Sequence, residues 1–421
     1  MDSYHIRGGN TIQGECSARG AKNAALPILA ACILTGSDVE LKGCPGIADV
    51  ENMLEILRTL GCKTEKSNDT IYVNAIQIDC HTIPSKLMKG MRSSVFLMGP
   101  LLARCGEVIL GQPGGCEIGK RPIDIHISAL KKLGVTITEA DGLLICEGKK
   151  MKGADITLDF PSVGATENIM LAAVAAEGET IIRNSAREPE IVDLQNFLIG
   201  CGANIKGAGS DTIIISGRDN PSRFLHGSQY TIIPDRIEAG TLLAAAAGTG
   251  GHLFLKGANA QHMEIILEKF EQIGCRIQKY NDGISIKSPS RLTATDLCTM
   301  PYPGFPTDMQ SQFLALMTTA RGTSHICENI FENRYKQVPE LCKMGASINV
   351  KGVDAEVFGV EKLVGRRVSA ADLRGGAALV IAGLMAEGET IIENIGHIER
   401  GYDKLDKVLN ALGADIRGIT Q

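Results

Sequence analysis

One cysteine lies in a glycine-rich stretch that two cations follow. Residues 111–125 read GQPGGCEIGKRPIDI, which places Cys116 after two glycines and puts Lys120 and Arg121 shortly behind it. Four glycines and a proline leave few side chains to pack, so an exposed loop is expected here. Both cations favour the thiolate form of a nearby cysteine. The pattern therefore indicates a reactive thiol at Cys116, against the more usual role of cysteine as a small, inert hydrophobic residue.

A helix is predicted directly after this loop. Pro122 suits the first helical position, and Gly134 supplies a left-handed stop. Arg121 would then be the cap, and because arginine cannot accept hydrogen bonds from the free N–H groups, the helix start is open to an external anion. Apolar residues recur at helical spacing between these ends, namely Ile123, Ile127, Leu130 and Leu133.

The composition predicts a globular protein of two domains. The chain has 421 residues, 44% of them hydrophobic, and a net charge of −5, which argues against nucleic acid as the main partner. The N-terminal residues do not read as a signal peptide, and the longest apolar run, residues 24–34, is too short to span a bilayer. A cytoplasmic protein is expected. Thirteen cysteines without any Cys-x-x-Cys spacing indicate reduced thiols scattered through a core, with no metal site.

One pattern recurs six times along the chain. It consists of an apolar helix ending in glycine, a strand, an amphipathic helix ending in glycine, and one or two further strands. The second-helix glycines lie 68 to 73 residues apart, and the last three repeat the first three at 211 to 213 residues. The first-helix glycines are Gly36, Gly106, Gly178, Gly250, Gly322 and Gly388, and the second-helix glycines are Gly61, Gly134, Gly202, Gly274, Gly345 and Gly413.

The long period predicts an α/β protein with six repeated α/β units, three in each of two domains. The expected domains are residues 21–229, and residues 1–20 together with residues 230–421, because the last repeats lack a strand that the N-terminal segment can provide. A Rossmann glycine fingerprint is missing from the sequence. The first helices are apolar nearly all round, so they should be buried with the sheets outside them.

The repeats single out one equivalent position, fourteen residues before each first-helix glycine and thus at the start of a buried helix. A cation there opposes the helix dipole at a cost of about 0.3–1 kcal/mol, so four such cations indicate binding of an anion. Solvated cations that merely cover a domain end are the alternative. Asp308, the acidic residue at this position, could instead belong to a capping box formed by Thr307 and Gln310. The six positions are Lys22, Arg92, Gly164, Arg236, Asp308 and Arg374.

Two further arginines share a spacing. Arg334 and Arg400 each lie twelve residues after a first-helix glycine, in predicted loops before second helices. The residues alone leave open whether they bind a ligand or are solvated.

These motifs together resemble the UDP-N-acetylglucosamine 1-carboxyvinyltransferases, which are enolpyruvyl transferases, over essentially the whole chain. The resemblance implies a two-domain inside-out α/β barrel, with the active site in the cleft between the domains. The segments that carry it are residues 20–27 (GAKNAALP), 91–94 (MRSS), 113–116 (PGGC), 121–126 (RPIDIH), 162–166 (SVGAT), 305–310 (FPTDMQ), 331–334 (FENR) and 400–402 (RGY).

The resemblance also implies the reaction. Such an enzyme moves the enolpyruvyl group of phosphoenolpyruvate to the 3′-hydroxyl of UDP-N-acetylglucosamine and releases phosphate, as the first committed step of peptidoglycan synthesis. The chemistry is addition followed by elimination, which needs a proton donor, a base and fixed cations but no metal and no cofactor. The expected partners are these two small molecules, without nucleic acid, a membrane or an obligate protein partner.

The same resemblance implies the roles of individual residues. Cys116 is similar to a general acid that forms an adduct with phosphoenolpyruvate and reacts with fosfomycin. Lys22, Arg121 and Arg400 resemble ligands of the phosphate, with Arg334 and Arg374 nearby, and Asp308 resembles the group that contacts the sugar 3′-hydroxyl. The residues that resemble contacts of the UDP-sugar are Asn23, Arg92, Arg121, Pro122, Ile123, Asp124, Ile125, Ser162, Val163, Gly164 and Ile330. The chain departs from some relatives at Phe160 and Pro161, where they carry a lysine that contacts the diphosphate.

Three alternatives remain at this point. A 5-enolpyruvylshikimate-3-phosphate synthase would share the architecture and the chemistry but not the cysteine loop, and the Gly-Gly-Cys116 motif argues against it. A regulatory copy would bind the UDP-sugar without turnover, since one fold can serve several functions. An RNA-terminal phosphate cyclase also contains repeated α/β units, but the acidic composition disfavours it.

Overall fold

The computed structural model describes residues 2–90, 92–111, 123–217 and 225–419. The described residues form two compact units. We call residues 20–233 the first unit, and residues 2–19 with 234–419 the second unit. The chain passes between them at residues 19/20 and 233/234, against predicted boundaries at 20/21 and 229/230.

Each unit contains three four-stranded sheets that share one topology. In each sheet an edge strand lies parallel to the second strand, which pairs antiparallel with the third, and the third pairs antiparallel with the fourth. We number the repeats 1 to 6 by their first helices. A strand, the first helix, a second strand, the second helix and a hairpin thus form one repeat, as the sequence pattern predicts.

The three sheets of the first unit have the following strands, in spatial order. Repeat 1 contains Gln229–Thr231, Asp38–Lys42, Thr70–Asn74 and Lys63–Ser67; repeat 2 contains Thr82–Ile83, Glu107–Gly111, Leu143–Glu147 and Thr136–Ala140; repeat 3 contains Asp155–Thr157, Glu179–Arg183, Thr212–Ser216 and Asn204–Lys206.

The sheets of the second unit follow the same order. Repeat 4 contains Gln13–Ser17, His252–Lys256, Gly283–Lys287 and Arg276–Tyr280; repeat 5 contains Leu297–Cys298, Thr323–Cys327, Asp354–Phe358 and Ser347–Lys351; repeat 6 contains Arg367–Ser369, Glu389–Glu393, Ser3–Arg7 and Asp415–Ile419.

The helices complete the repeats. The first helices are Lys22–Ala31, Met98–Cys105, Val163–Ala173, Arg236–Gly248, Thr307–Met317 and Leu373–Met385. The second helices are Ala48–Thr59, Asp124–Lys132, Pro189–Gly200, Glu264–Gln272, Val338–Lys343 and Leu405–Ala411. The shorter helical segments are Cys32–Leu34, Ser85–Gly90, Arg92–Leu97, Ala260–Met263 and Gly396–Glu399.

Strands from distant parts of the sequence complete three of these sheets. Ser3–Arg7 is the third strand of repeat 6, and Gln13–Ser17 is the edge strand of repeat 4. Both strands of the N-terminal segment thus belong to sheets of the second unit. In turn, Gln229–Thr231 returns to repeat 1 and pairs with Asp38–Lys42.

The repeat glycines take the backbone conformation that ends a helix. All six second-helix glycines lie in the left-handed region, with φ from 89° at Gly134 to 103° at Gly61 and Gly413. Five of the six first-helix glycines also have positive φ, and Gly36 does not. The glycine period thus reflects a conformation that a side chain would strain.

The first helices lie inside each unit and the sheets outside, as their apolar sequences predict. In Leu373–Met385, residues 374–384 are all buried, and in Arg236–Gly248 only the last residue is not. Each unit has its own hydrophobic core, one around the first helices of repeats 1 to 3 and one around those of repeats 4 to 6.

Two helix starts differ from the prediction. Residues Arg92–Leu97 form a 3₁₀ helix, and the α-helix of repeat 2 begins only at Met98. The second helix of this repeat begins at Asp124 with Ile123 at its cap position, later than the predicted start at Pro122. Ile123 carries no side-chain acceptor, so the helix N-terminus has no side-chain cap.

We expect Phe313→Ala to lower the free energy of unfolding by about 3–5 kcal/mol, because it leaves a cavity at the centre of the second unit. Phe313 is 1% exposed and packs against Phe270 and Phe305, with ring centroids 4.8 and 5.1 Å away. Urea denaturation followed by circular dichroism measures the change. Phe358→Ala is the control, since Phe358 of the same repeat is 41% exposed; equal losses in both variants would contradict the assigned core.

Candidate active site

The predicted site residues are distributed over both units. Cys116, Arg121 and Pro122 lie outside the described residues. Arg92 is the first residue of the 3₁₀ helix Arg92–Leu97. Lys22, Gly164, Arg236, Asp308 and Arg374 each lie at the first or second position of a first helix, as the count along the repeats predicts.

Asp308 is the acidic centre of the second unit. Its Oδ1 accepts a hydrogen bond from Arg334 Nη2 at 2.5 Å, and its Oδ2 accepts one from Arg374 Nη2 at 3.1 Å. The side chains of Arg334 and Arg374 are only 2% and 4% exposed, while Asp308 remains 25% exposed. Both carboxylate oxygens thus meet buried guanidinium groups, and the remaining exposed face of Asp308 can meet a ligand.

A hydroxyl network fixes Arg374 from behind. Arg374 Nη1 donates to the Tyr402 hydroxyl at 3.0 Å, and this hydroxyl also lies 2.9 Å from Thr241 Oγ1. Gln312 Nε2 donates to Thr241 Oγ1 and to the backbone oxygen of Asp308. Burial is the largest influence and lowers the pKa of Arg374, but Asp308, Tyr402 and Asp235 together outweigh it and raise the arginine pKa. Arg374 therefore remains a fixed cation inside the protein.

Buried Glu328 organises the loop that carries Ile330. Its Oε1 accepts hydrogen bonds from the backbone N–H groups of Ile330 and Phe331 at 2.9 and 3.0 Å. Its Oε2 accepts from Thr307 Oγ1 at 2.9 Å. Thr307 is the first helical residue rather than a cap, so the predicted capping box is wrong. The Thr307 hydroxyl instead ties the helix that carries Asp308 to the Glu328 loop.

Arg334 and Arg400 lie at equivalent sequence positions of repeats 5 and 6, but their surroundings differ. Arg334 is fixed, since its Nε and Nη2 also donate to the backbone oxygen of Thr307. Arg400 is partly exposed and caps the C-terminus of Gly396–Glu399. Asp403, three residues later, accepts a hydrogen bond through its backbone oxygen from Arg19, which links this loop to the N-terminal segment.

Lys22 is the buried cation of the first unit. Its Nζ lies 2.6 Å from Oδ2 of Asp49, and the two side chains are 9% and 1% exposed. Asp49 belongs to the first turn of Ala48–Thr59, where a carboxylate also stabilises the helix dipole. The pairing holds the ammonium group at the start of its own helix, next to Asn23. Lys22 is thus pre-positioned at a helix N-terminus whose cap, Ala21, offers no acceptor.

The start of the repeat 3 helix is shaped by a close contact. Ser162 is its cap, with Oγ accepting from the backbone N–H of Ala165 at 3.3 Å. A Cβ atom at Gly164 would lie 3.0 Å from Phe96 and 3.2 Å from His126, so any side chain there would push against these two rings. Asn168 donates to the Val95 oxygen and lies 2.9 Å from His126 Nδ1. This arrangement makes Nδ1 the acceptor and leaves the proton of a neutral imidazole on Nε2.

The remaining predicted contacts of the first unit are partly buried or exposed. Ile123, Ile125 and Val163 pack against the hydrophobic core. Asp124 is exposed and lies in the first turn of its helix, with Oδ1 accepting from the backbone N–H of Ile125 at 2.9 Å. These backbones lie at two helix starts, where N–H groups can bind an anionic or polar ligand.

Several supporting residues were not predicted from the sequence. Asp49, Glu328, Gln312, Thr241 and Tyr402 hold the predicted residues in place through their hydrogen bonds and ion pairs. Only Tyr402 gave a sequence signal, because it follows Arg400 in a motif shared with the family. The others read as ordinary polar residues of helices and loops.

The fixed cations of both clusters suit anionic ligands. Within residues 2–90, 92–111, 123–217 and 225–419, no group of three or more His, Cys, Asp or Glu side chains is arranged to hold a metal ion. Over the same ranges, no helix has the length and apolar character required to cross a membrane. Fixed guanidinium and ammonium groups bind phosphate and carboxylate well, because their charge needs no reorganisation when the ligand arrives.

Comparisons with known proteins agree with this architecture. Residues 6–409 match the EPSP synthase (3-phosphoshikimate 1-carboxyvinyltransferase) family. The chain is 51% identical over 417 residues to UDP-N-acetylglucosamine 1-carboxyvinyltransferase 2 of Caldanaerobacter subterraneus, with 99% of both chains covered. It is 46% identical over 420 residues to UDP-N-acetylglucosamine 1-carboxyvinyltransferase of Myxococcus xanthus, again with 99% of each covered.

Solved structures share the fold. The enolpyruvyl transferase NikO of Streptomyces tendae matches with a TM-score of 0.90 at 25% identity, covering 100% of this chain and 99% of that one. EPSP synthase of Acinetobacter baumannii matches with a TM-score of 0.76 at 18% identity and full coverage of both chains. The predicted enolpyruvyl transferase fold, a two-domain inside-out α/β barrel of six repeats, is therefore confirmed.

We expect Tyr402→Phe to lower the free energy of unfolding by about 1–3 kcal/mol, because the buried Arg374 loses a hydrogen-bond acceptor. The ring itself remains, so the change reports the hydroxyl alone. Urea denaturation at constant pH measures it, with Tyr280→Phe as the control, since Tyr280 is 50% exposed and donates to Gln278 on the surface. Equal stability of the two variants would contradict a structural role for the Tyr402 hydroxyl.

Proposed function

Because the chain belongs to the EPSP synthase family and matches UDP-N-acetylglucosamine 1-carboxyvinyltransferases over 99% of its length, we infer that it is such a transferase. It transfers the enolpyruvyl group of phosphoenolpyruvate to the 3′-hydroxyl of UDP-N-acetylglucosamine in peptidoglycan synthesis. The identity of 46–51% to curated relatives over nearly the full chain carries this conclusion. Against EPSP synthase itself, the structural match has only 18% identity and supports the fold alone.

The reaction requires charge stabilisation at two stages. Protonation of phosphoenolpyruvate at C3 makes C2 electrophilic, and the sugar 3′-hydroxyl then adds to C2 as its proton is removed. The tetrahedral intermediate next loses phosphate from C2 and a proton from C3, which restores the double bond. Fixed cations stabilise the phosphate and the carboxylate throughout. Because charges attract more strongly in the protein interior than in water, the burial of these cations favours the reaction.

Asp308 is the proposed group at the sugar hydroxyl. Its oxygens already accept hydrogen bonds from Arg334 and Arg374, so the carboxylate is held in its acceptor form. A hydroxyl that donates to its exposed face would be oriented for attack, and its proton would pass to the carboxylate. The rigid contacts behind both arginines keep this geometry independent of the ligand.

Lys22 and Arg400 are the proposed phosphate ligands among the described residues, and Arg121 is a further proposed ligand. Asp49 holds the Lys22 ammonium group at 2.6 Å, which fixes this cation at the start of its helix. Arg400 is partly exposed in its loop, so its guanidinium group can reach a ligand. We propose that Arg334 and Arg374, which both bind Asp308, lie near the same phosphate.

The UDP-sugar is proposed to contact helix starts. Ser162, Val163 and Gly164 present one such start, and the tight packing of Gly164 keeps side-chain atoms away from it. Ile330 sits in the loop that Glu328 holds. The further proposed contacts are Asn23, Arg92, Arg121, Pro122, Ile123, Asp124 and Ile125. Phe160, which is 40% exposed, stands where some relatives have a lysine, so less of the diphosphate charge is met there.

Cys116 is the proposed proton donor to C3, and it would form a covalent adduct with phosphoenolpyruvate. A thiolate near cations is nucleophilic enough for both this adduct and attack on the epoxide of fosfomycin. We also propose a cytoplasmic enzyme that acts without nucleic acid, a membrane or an obligate protein partner, in keeping with its net charge of −5 and its small-molecule substrates.

We expect phosphate release from phosphoenolpyruvate in the presence of UDP-N-acetylglucosamine and not with shikimate 3-phosphate. The rates should differ by on the order of 10⁴-fold, because a site built for one hydroxyl-bearing substrate leaves polar groups unpaired with another. A coupled colorimetric phosphate assay measures both. Release with shikimate 3-phosphate alone would overturn the proposed substrate, and binding of the UDP-sugar without release would indicate a regulatory copy.

We expect Cys116→Ser to abolish covalent labelling by fosfomycin and to remove the phosphoenolpyruvate adduct, because serine is not ionised at neutral pH. Intact-protein mass spectrometry detects both products. Cys342→Ser is the matched control, since Cys342 is exposed yet lies in the helix Val338–Lys343 and should not react with the epoxide. Labelling of Cys116→Ser at the wild-type level would exclude the assigned role of this thiol.

A further inference from the structure

Two cysteines face each other on the outer surface of the repeat 5 sheet. Cys298 ends the edge strand Leu297–Cys298, and in the parallel pairing with Thr323–Cys327 its register partner is Cys327. The preceding partners, Leu297 and Ile326, are 4% and 1% exposed, so their side chains point inward and the cysteines point outward. Cys342 is also exposed, although the spacing of the cysteines predicts that thiols other than Cys116 are scattered through a core.

The spacing of paired strands suits a covalent bond between these thiols. Neighbouring strands lie about 4.8 Å apart, and disulfides span Cα separations of about 4.4–6.8 Å. Partners in register project from the same face of a sheet, so the two Cβ atoms also point in the same direction. The Cα separation of such a pair therefore falls within the disulfide range, and the two thiols lie side by side on one face of the sheet.

Asn329 already bridges the two sulfur atoms. Cys327 Sγ donates to Asn329 Oδ1 at 3.2 Å, and Asn329 Nδ2 donates to Cys298 Sγ at 3.0 Å. The thiols also interact with each other: burial, a hydrogen bond with Asp354 and the neighbouring Cys298 raise the pKa of Cys327. Cys298 is exposed and Cys327 half-buried, so Cys298 is the thiol that meets a reagent from solvent first.

We propose that Cys298 and Cys327 form a reversible disulfide in exchange with a low-molecular-weight disulfide. The Cys298 thiolate attacks one sulfur of the oxidant, which releases one small thiol and leaves a mixed disulfide on Cys298. The Cys327 thiolate then attacks the Cys298 sulfur and releases the second small thiol. Two S–H bonds of the protein are lost, one S–S bond forms, and two electrons and two protons pass to the oxidant.

The disulfide would act on the substrate loop. Formation of the bond removes the S–H donor of Cys327 and thereby one of the two hydrogen bonds between the Asn329 side chain and the thiols. Asn329 lies between Glu328, which holds the loop, and Ile330, a proposed contact of the UDP-sugar. Its backbone N–H donates to Thr299 Oγ1, which in turn donates to Glu328 Oε1. Oxidation therefore weakens the hold on this loop; this effect on substrate rests on the proposed function, whereas the disulfide does not.

A cross-link measurement tests the disulfide itself. The reduced enzyme is equilibrated with oxidised glutathione, free thiols are alkylated, and the protein is digested with trypsin without reduction. Cleavage after Arg321 separates the two cysteines, so a disulfide appears as two linked peptides, residues 292–321 and 322–334. The linked pair should form in wild type and in Cys342→Ser, and it should be lost in Cys298→Ser and in Cys327→Ser. Glutathione on Cys342 without any linked pair would overturn the proposal.

A kinetic measurement tests the effect on the loop. Oxidation should raise the KM for UDP-N-acetylglucosamine about fivefold, the equivalent of one lost hydrogen bond, and dithiothreitol should restore it. Cys298→Ser and Cys327→Ser should keep their KM under the same oxidant, while Cys342→Ser should respond as wild type. All variants retain Cys116, so any loss of activity caused by oxidation of Cys116 affects them equally. An unchanged KM in the cross-linked wild type would overturn the effect of the disulfide on the loop. If the cross-link forms but the reduced protein has no transferase activity, the proposed function alone would be overturned.

Discussion

The burial of apolar helices inside each unit is the constraint on which the rest depends. A helix that is apolar on every side has to be covered all round, and in this chain the sheets do so. At the ends of such a helix, charged side chains can meet a ligand, whereas a charge along its buried length would have to be paired inside the protein. This is why three charged residues of the candidate site, Lys22, Asp308 and Arg374, occupy the first turn of a first helix.

Charges at these helix starts are stable only because they are paired. An isolated guanidinium or ammonium group inside a protein is strongly unfavourable, and a cation near a helix N-terminus adds a further cost. Asp308 offsets this cost for Arg334 and Arg374, and Asp49 does so for Lys22. The same pairs keep the cations fixed before any substrate arrives, which is the condition for electrostatic catalysis.

The loop after the Thr323–Cys327 strand connects this site to the protein surface. Glu328 bonds inward to Thr307, beside Asp308, while Cys327 and Asn329 face outward toward Cys298. The buried Glu328 carboxylate accepts four hydrogen bonds and is therefore rigid. A change at the thiols thus reaches the loop through one short segment of chain. One hydrogen-bond network thus holds both a substrate contact and the proposed redox-sensitive pair.

Local patterns in the sequence determined much of this protein. The period of the glycines predicted six repeats, because a left-handed helix end favours glycine whatever the rest of the fold does. Apolar helices without a polar face predicted the inside-out arrangement, and a missing strand predicted the role of the N-terminal segment. Counting along the repeats placed the charged residues at helix starts, and the motifs identified the family.

Only the tertiary structure decided which side chains meet. Asp308 is 26 positions from Arg334 and 66 positions from Arg374 in the sequence, and neither spacing predicts that the side chains touch. Thr307 matched a capping pattern, yet it is the first helical residue, and its hydroxyl donates to the buried carboxylate of Glu328 in a neighbouring loop. Likewise, Cys298 and Cys327 became partners through the register of two parallel strands. Backbone conformation follows from neighbouring residues, whereas side-chain pairing depends on how separate elements pack.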